Sequence, residues 1–151
     1  MKLNPFIISK LLVETITKGG NTVNFDAPDS YHAVSGQCWV VALGKDHEVR
    51  FNTMRAIREL ETFKMKLEDV VKQVKELNKA YQEATESKAI LYACGLWVDA
   101  VDLVIEPVQL VPDTQEALFL AIERDQSSIY HLGREEYVSL IHLKDKIKGG
   151  K

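Results

Sequence analysis

Five arginines and four aromatic residues are the side chains of this chain best suited to chemistry on a ligand. The arginines are Arg50, Arg55, Arg58, Arg124 and Arg134, and the aromatics are Trp39, Phe51, Trp97 and Tyr130. Guanidinium forks hold phosphates bidentately, and aromatic faces stack on planar bases. Arg50 directly precedes Phe51, and Arg55 and Arg58 follow within the next helical turns, so three arginines gather at one strand-to-helix junction. A flat, phosphate-bearing ligand is the molecule this set fits, with Arg50, Phe51, Arg55, Trp97, Arg124, Tyr130 and Arg134 as its candidate contacts. The competing reading makes the aromatics core residues and the arginines a solvated surface.

Motifs for catalysis are missing. There is no GxGxxG and no GxxxxGK[ST], so no nucleotide cofactor is expected. The histidines, His32, His47, His131 and His142, form no HxH or HExxH, and Cys38 and Cys94 form no CxxC. No metal site is expected on that ground. Both cysteines sit in apolar segments and read as small buried residues rather than a disulfide. A nucleophile built from Cys94 and a histidine would have to assemble in space, and no spacing supports it. Asp99, Asp102 and Glu106 cluster about one turn, where a metal or ordinary turn chemistry would both account for them.

Composition narrows the class further. The chain has 151 residues, 46% hydrophobic and 27% charged, with net charge −3. These values fit one globular domain over 1–151. A nucleic-acid binder carries a basic surplus that this chain lacks, so neither DNA nor RNA is expected as a partner. No segment reaches the roughly 20 apolar residues of a membrane span, and the N-terminus lacks the continuous apolar stretch of a signal peptide. A cytoplasmic location in the host cell is the expectation.

The elements that would position the candidate residues follow from period and punctuation. Residues 1–20 form an N-terminal extension in which 6–16 suit an edge strand or a short helix equally. Strands are expected at 22–25, 37–43 and 47–51, with a hairpin turn at Gly44-Lys45-Asp46. Strands at 90–98 and 103–111 are joined by a turn at 99–102, and Pro107 argues for an edge or a bulge. Asp113, with Glu116 three residues on, opens a short helix at about 113–125. Short strands at 127–132 and 136–143 precede a charged tail, 144–151, that is expected to fray. The fold class is α+β: a small antiparallel sheet with one long central helix at about 53–87.

That long helix carries the strongest pattern. Leu60, Leu67, Val74 and Tyr81 recur every seven residues, as do Phe63, Val70, Leu77 and Ala84. Roughly 34 helical residues would run about 50 Å, against an expected radius of gyration of about 15 Å. A seam that long exceeds what a small sheet covers, so Leu60, Phe63, Leu67, Val70, Val74 and Leu77 are the expected interface of a homo-oligomer. Alternatively the seam packs on the chain's own sheet. Lys64, Lys66, Val71 and Gln73 beside it show no charge complementarity, which argues against a plain parallel zipper.

Two stretches resemble known proteins: GGNTVNF with SGQCWVVALGKDHEVRF, and GLWVDAVDLVIEPVQLVPDTQEALFLAIERDQSSIYHL. The second resembles a pattern of small phage and bacterial proteins: a glycine-tryptophan strand, a turn, a returning strand, a D-x-x-E-A-L helix and Q-x-x-I-x-x-L. Among characterised families the build is similar to the first family of phage anti-Thoeris sponges. The resemblance implies a non-enzymatic anti-defence protein that sequesters a cyclic ADP-ribose isomer, a small cyclic nucleotide, in a pocket between protomers. The alternative function is an interaction module whose long helix docks on and inhibits a host enzyme. A small hydrolase using Cys94 and a histidine is the third.

Overall fold

The computed structural model describes residues 1–141. Its elements are α1 (Pro5–Lys18), β1 (Gly20–Ala27), β2 (Ser30–Ala33), β3 (Trp39–Ala42), a 3-10 turn (Lys45–His47), β4 (Val49–Asn52), α2 (Thr53–Arg58), α3 (Leu60–Thr85), β5 (Tyr92–Asp99), β6 (Asp102–Val111), α4 (Thr114–Glu123), β7 (Ser128–His131) and β8 (Glu136–Ser139). The expected α+β class holds, with α3 as the long helix. The eight strands form one antiparallel sheet in the order β2-β1-β5-β6-β3-β7-β8, with β4 also paired to β6. The frayed-tail expectation, the last two residues of the 136–143 strand and His142 lie outside the described residues.

Directly opposed residues of an antiparallel pair share a face, so register sorts the whole sheet. Val23, Cys94, Leu96, Leu103, Ile105 and Phe51 face one way and bury α1, α2 and α3. Trp39, Val41, Val111 and Ile129 face the same way and bury α4 through Ala117 and Ala121. All four helices therefore lie on one side. The other side has no helix layer among the described residues.

The heptad seam is consumed inside the chain. Phe63 and Leu67 are 0% exposed, and Val70 and Val74 are 2% exposed, all in the cluster that α3 makes with α1 and the sheet. Leu60 and Leu77 are half-buried. This corrects the expected oligomer interface. The sheet has eight strands, one more than expected, and α1 packs beside α3. Together they supply the apolar area that seemed to require a second copy. The helix is also shorter than expected. Glu59, at φ −117° and ψ 63°, breaks 53–87 into α2 and a 26-residue α3, whose length is about 39 Å.

The ambiguous N-terminal segment is a helix. Asn4 accepts a hydrogen bond from the Phe6 N–H, Pro5 occupies the first turn, and Gly19 closes the helix at φ 87° with its N–H donating to Thr15 O. These are ordinary helix start and stop residues. Pro107 is in the sheet interior, opposite Cys94 on β5. On its other side β6 pairs with β4 through Asp102–Ile105 and with β3 through Val108–Val111. A residue with no N–H thus stands where β6 changes partner, not on an edge.

Residues 34–38 carry the chain from β2, at one end of the sheet, to β3 on the far side of β6. Four strand spacings are about 19 Å, and six Cα steps reach about 21 Å when extended. The segment is therefore drawn nearly straight. It crosses the helix-free face, where Val34 and Cys38 pack with Ala93, Val108 and Leu110. Val34 N–H donates to Thr22 O, and Cys38 O accepts from Leu132 N–H.

Asn78 fixes the start of β5 from within α3. Its Oδ1 accepts from Leu91 N–H at 3.0 Å and Tyr92 N–H at 2.9 Å, and its Nδ2 donates to Tyr92 O at 3.0 Å. The side chain is 8% exposed. Replacing Asn78 with Ala leaves two backbone N–H groups without it, and is expected to cost about 2–4 kcal/mol in urea denaturation. A loss under about 0.5 kcal/mol would contradict that role. Leu67→Ala is expected to cost about 2–5 kcal/mol, with a midpoint independent of protein concentration. A midpoint that rises with concentration would return the seam to an intermolecular contact.

Candidate functional site: the helix-free face

The helix-free face gathers Gly20 and Thr22 of β1, Gly95 and Trp97 of β5, Val104, Glu106 and Val108 of β6, Val40 of β3, Arg50 of β4, Tyr130 of β7 and Tyr137 of β8. A cavity of about 420 Å³ lies on it. Its floor includes Val40 and Val108, its aromatic lining is Trp97, Tyr130 and Tyr137, and Ala33 at the end of β2 contributes with Val34 and Ser35 of the crossing segment. Lys18 and Glu135 are its charged residues. Pockets of 300–1,000 Å³, apolar with few polar groups, are the usual scale for small-molecule sites.

Glycine positions the tryptophan. A Cβ on Gly95 would meet Trp97 Cζ3 at 3.2 Å and Val108 Cγ1 at 2.8 Å. The indole therefore lies back over Gly95 and presents part of its surface to the cavity. At the other end Tyr130 and Tyr137 face each other across the β7–β8 hairpin, with ring centroids 4.8 Å apart and an angle of 53°. Tyr137 is 68% exposed.

The sequence-derived contacts divide between the two faces. Arg50, Trp97 and Tyr130 are on the helix-free face, and of these Trp97 and Tyr130 line the cavity. Arg50 is already held: Nε donates to Glu48 and Nη1 to Asp99, each at 2.8 Å, with Asp102 at 3.6 Å. Those bonds raise the guanidinium pKa further. Phe51 points the other way, into the core against Phe63. Arg55 pairs with Glu59 on α2. Arg124 donates to Ala42 O at 3.2 Å and to Gln109 Oε1 at 2.7 Å. Arg134 lies over the Trp39 ring, 5.6 Å from its centroid. The strand-to-helix junction thus does not create an arginine cluster, because Phe51 turns inward and Arg50 and Arg55 are each held by carboxylates of their own.

Tyr137, Val40, Val108 and Lys18 were not among the expected contacts. Tyr137 was the readable one. It occupies an alternating strand after a short turn, which places it across from Tyr130.

Glu106 sits on the same face beside this lining. It is 1% exposed, and its Oε1 has no hydrogen-bond partner among the described residues. Burial raises its pKa to about 8, the nearby Glu48 adds to the rise, and Arg50 opposes it. It is therefore largely neutral at pH 7. Asp99 and Asp102, grouped with it in the sequence, belong instead to the Arg50 ion network. Burial likewise pushes the Cys94 thiol up to about 12, removing the thiolate that a nucleophile requires. Among the described residues no three His, Cys, Asp or Glu side chains are placed to hold a metal ion, and no helix is long and apolar enough to cross a membrane.

No protein family, curated protein or solved structure matches this chain. Function is therefore argued from the geometry of the face.

Glu106 makes the face sensitive to pH. Its folded pKa lies above its ordinary value of 4.5, so between about 4.5 and about 8 the folded state holds the proton that the unfolded state has lost. That contribution to stability is fully present below pH 4.5 and is lost as pH rises through 8. Glu106→Gln is expected to be more stable than the parent above pH 8 and to flatten the decline over that window. Parallel stability–pH curves for the two proteins would contradict it.

Proposed function

We propose that this protein is a non-catalytic binder of a small ligand with a planar ring, held on the helix-free face of its sheet. The observation that carries the reading is the placement of three aromatic side chains, Trp97, Tyr130 and Tyr137, around one cavity on the face without a helix layer. Exposed aromatic surface is costly to leave against water, and stacking on a ligand ring recovers part of that cost. In its most specific form the ligand is a cyclic nucleotide immune signal, a cyclic ADP-ribose isomer, and the protein is a phage-type anti-defence sponge.

Two parts of the sequence-based expectation are modified. The ring site lies within one protomer, so binding requires no partner subunit. Among the described residues the cavity's one cation is Lys18, so the ring supplies the main recognition and the phosphates face outward or toward that lysine. The helix-docking alternative loses its motive, since Phe63, Leu67, Val70 and Val74 are committed to the core. An acid–base enzyme is the second reading. Glu106 favours it, because a buried carboxyl with a raised pKa beside a cavity has the character of a general acid. Its charged neighbours, Glu48 and Arg50, are bound to each other at 2.8 Å.

Calorimetric titration with a cyclic ADP-ribose isomer tests the proposal. Saturable binding is expected, with unaltered ligand recovered on heating. Trp97→Ala is expected to weaken it about tenfold or more, since stacking on an aromatic is worth about 1–3 kcal/mol per base. Binding should also raise the melting temperature by mass action. A chemically changed product that disappears in Glu106→Gln would establish the enzyme reading in its place. Affinity unchanged in Trp97→Ala would remove the helix-free face as the site.

A further inference from the structure

A second cavity, of about 530 Å³, lies on the far side of the crossing segment, and none of the sequence-derived ligand contacts lines it. It opens where β1 leaves β5. The two strands pair only from Gly20 to Val23, after which β1 continues with β2 alone. The gap is filled on one side by the C-terminal half of α3, which presents Lys75, Asn78, Lys79 and Gln82.

We propose that this cleft is a binding site for a small sugar phosphate, with Lys75 and Lys79 on the phosphate and the amide oxygens of Asn24 and Gln82 on the sugar hydroxyls. The two lysines are one helical turn apart, and like charges at that spacing work against a helix. No carboxylate lies within ion-pair distance of either lysine among the described residues. The partner of Lys75 is the Phe25 carbonyl, at a long 3.5 Å. Asp26, the one acid in the lining among the described residues, is bound to His32 Nδ1 at 2.8 Å. Among the described residues two ammonium groups therefore share the cleft with a single carboxylate, and a phosphate supplies the negative charge they lack.

The polar lining selects the rest of the ligand. Asn24 gives its Nδ2 to Tyr92 O, and Gln82 gives its Nε2 to Lys88 O and Ala89 O. Each amide keeps its oxygen as an acceptor, which suits a hydroxyl donor rather than a second anion. The cavity is several times larger than inorganic phosphate needs.

Ribose 5-phosphate, inorganic phosphate and ribose, titrated into the full chain at constant ionic strength, test the assignment. Ribose 5-phosphate is expected to bind saturably and more tightly than inorganic phosphate, with ribose showing no saturation. Lys75→Gln and Lys79→Gln are each expected to weaken ribose 5-phosphate about tenfold or more. Lys72→Gln removes the same charge from the same helix outside the cleft and should change affinity less than twofold. Trp97→Ala should leave it unchanged, which separates this site from the helix-free face. Equal loss in Lys72→Gln, or no saturation, would overturn the site. Equal affinity for inorganic phosphate would overturn the sugar phosphate as its ligand.

Discussion

Phe63, Leu67, Val70 and Val74 cannot lie against the sheet and against a second copy of the chain at the same time. The rest of the structure depends on which of these surfaces takes them. Here the sheet does, assisted by α1, and the four side chains are closed off from solvent. Full burial of a Leu, Val or Phe side chain is worth about 1.5–3 kcal/mol, so this stripe decides where α3 lies. With α3, α1, α2 and α4 on one side, the opposite side of the sheet is left to be covered by whatever the strands themselves carry.

What they carry is uneven. Under the crossing segment, Ala93, Val108 and Leu110 are buried by Val34 and Cys38. Beyond it, Trp97, Tyr130 and Tyr137 border a cavity and are partly open to solvent. An antiparallel sheet with one wet face ordinarily alternates apolar inward and polar outward. This one keeps valines and aromatics on its outward face, together with a carboxyl whose burial favours its neutral form. That departure from ordinary alternation concentrates the functional argument on this face.

Period and punctuation made much of the fold legible. The Asp113-to-Glu116 cap opens α4 as expected, with Asp113 accepting from Glu116 N–H at 2.9 Å. The strands at 90–98 and 103–111 pair through eight residues of register. The heptad spacing located α3, because side chains on one face of a helix recur at that interval whether they meet a sheet or another helix. The same spacing could not say which surface they meet, and the N-terminal segment that folds as α1 and packs beside α3 was left open between strand and helix. Strand β2 was not expected, because SYHA lacks a run of apolar residues. The break at Glu59 has no glycine or proline to announce it.

The candidate site was less legible, for a related reason. Adjacent residues on a strand face opposite ways, so Arg50 and Phe51 could not serve one ligand once both lay in β4. Proximity in sequence suggested a cluster that alternation forbids. Trp97 and Tyr130 come together through β6 and β3, a pairing that local pattern does not reveal. The lysine cleft was invisible for the same reason, since the splay of β1 from β5 is a tertiary feature.

The two tryptophans stand on opposite faces and give the most direct test. Trp39 is 3% exposed on the helix side, its Nε1 donating to Thr114 Oγ1 at 3.0 Å, whereas Trp97 borders the helix-free cavity. In a 15N-labelled protein titrated with a cyclic ADP-ribose isomer, the indole resonance of Trp97 should shift and saturate while that of Trp39 stays in place. A shift confined to Trp39, or no shift of either indole at saturating ligand, would contradict the account.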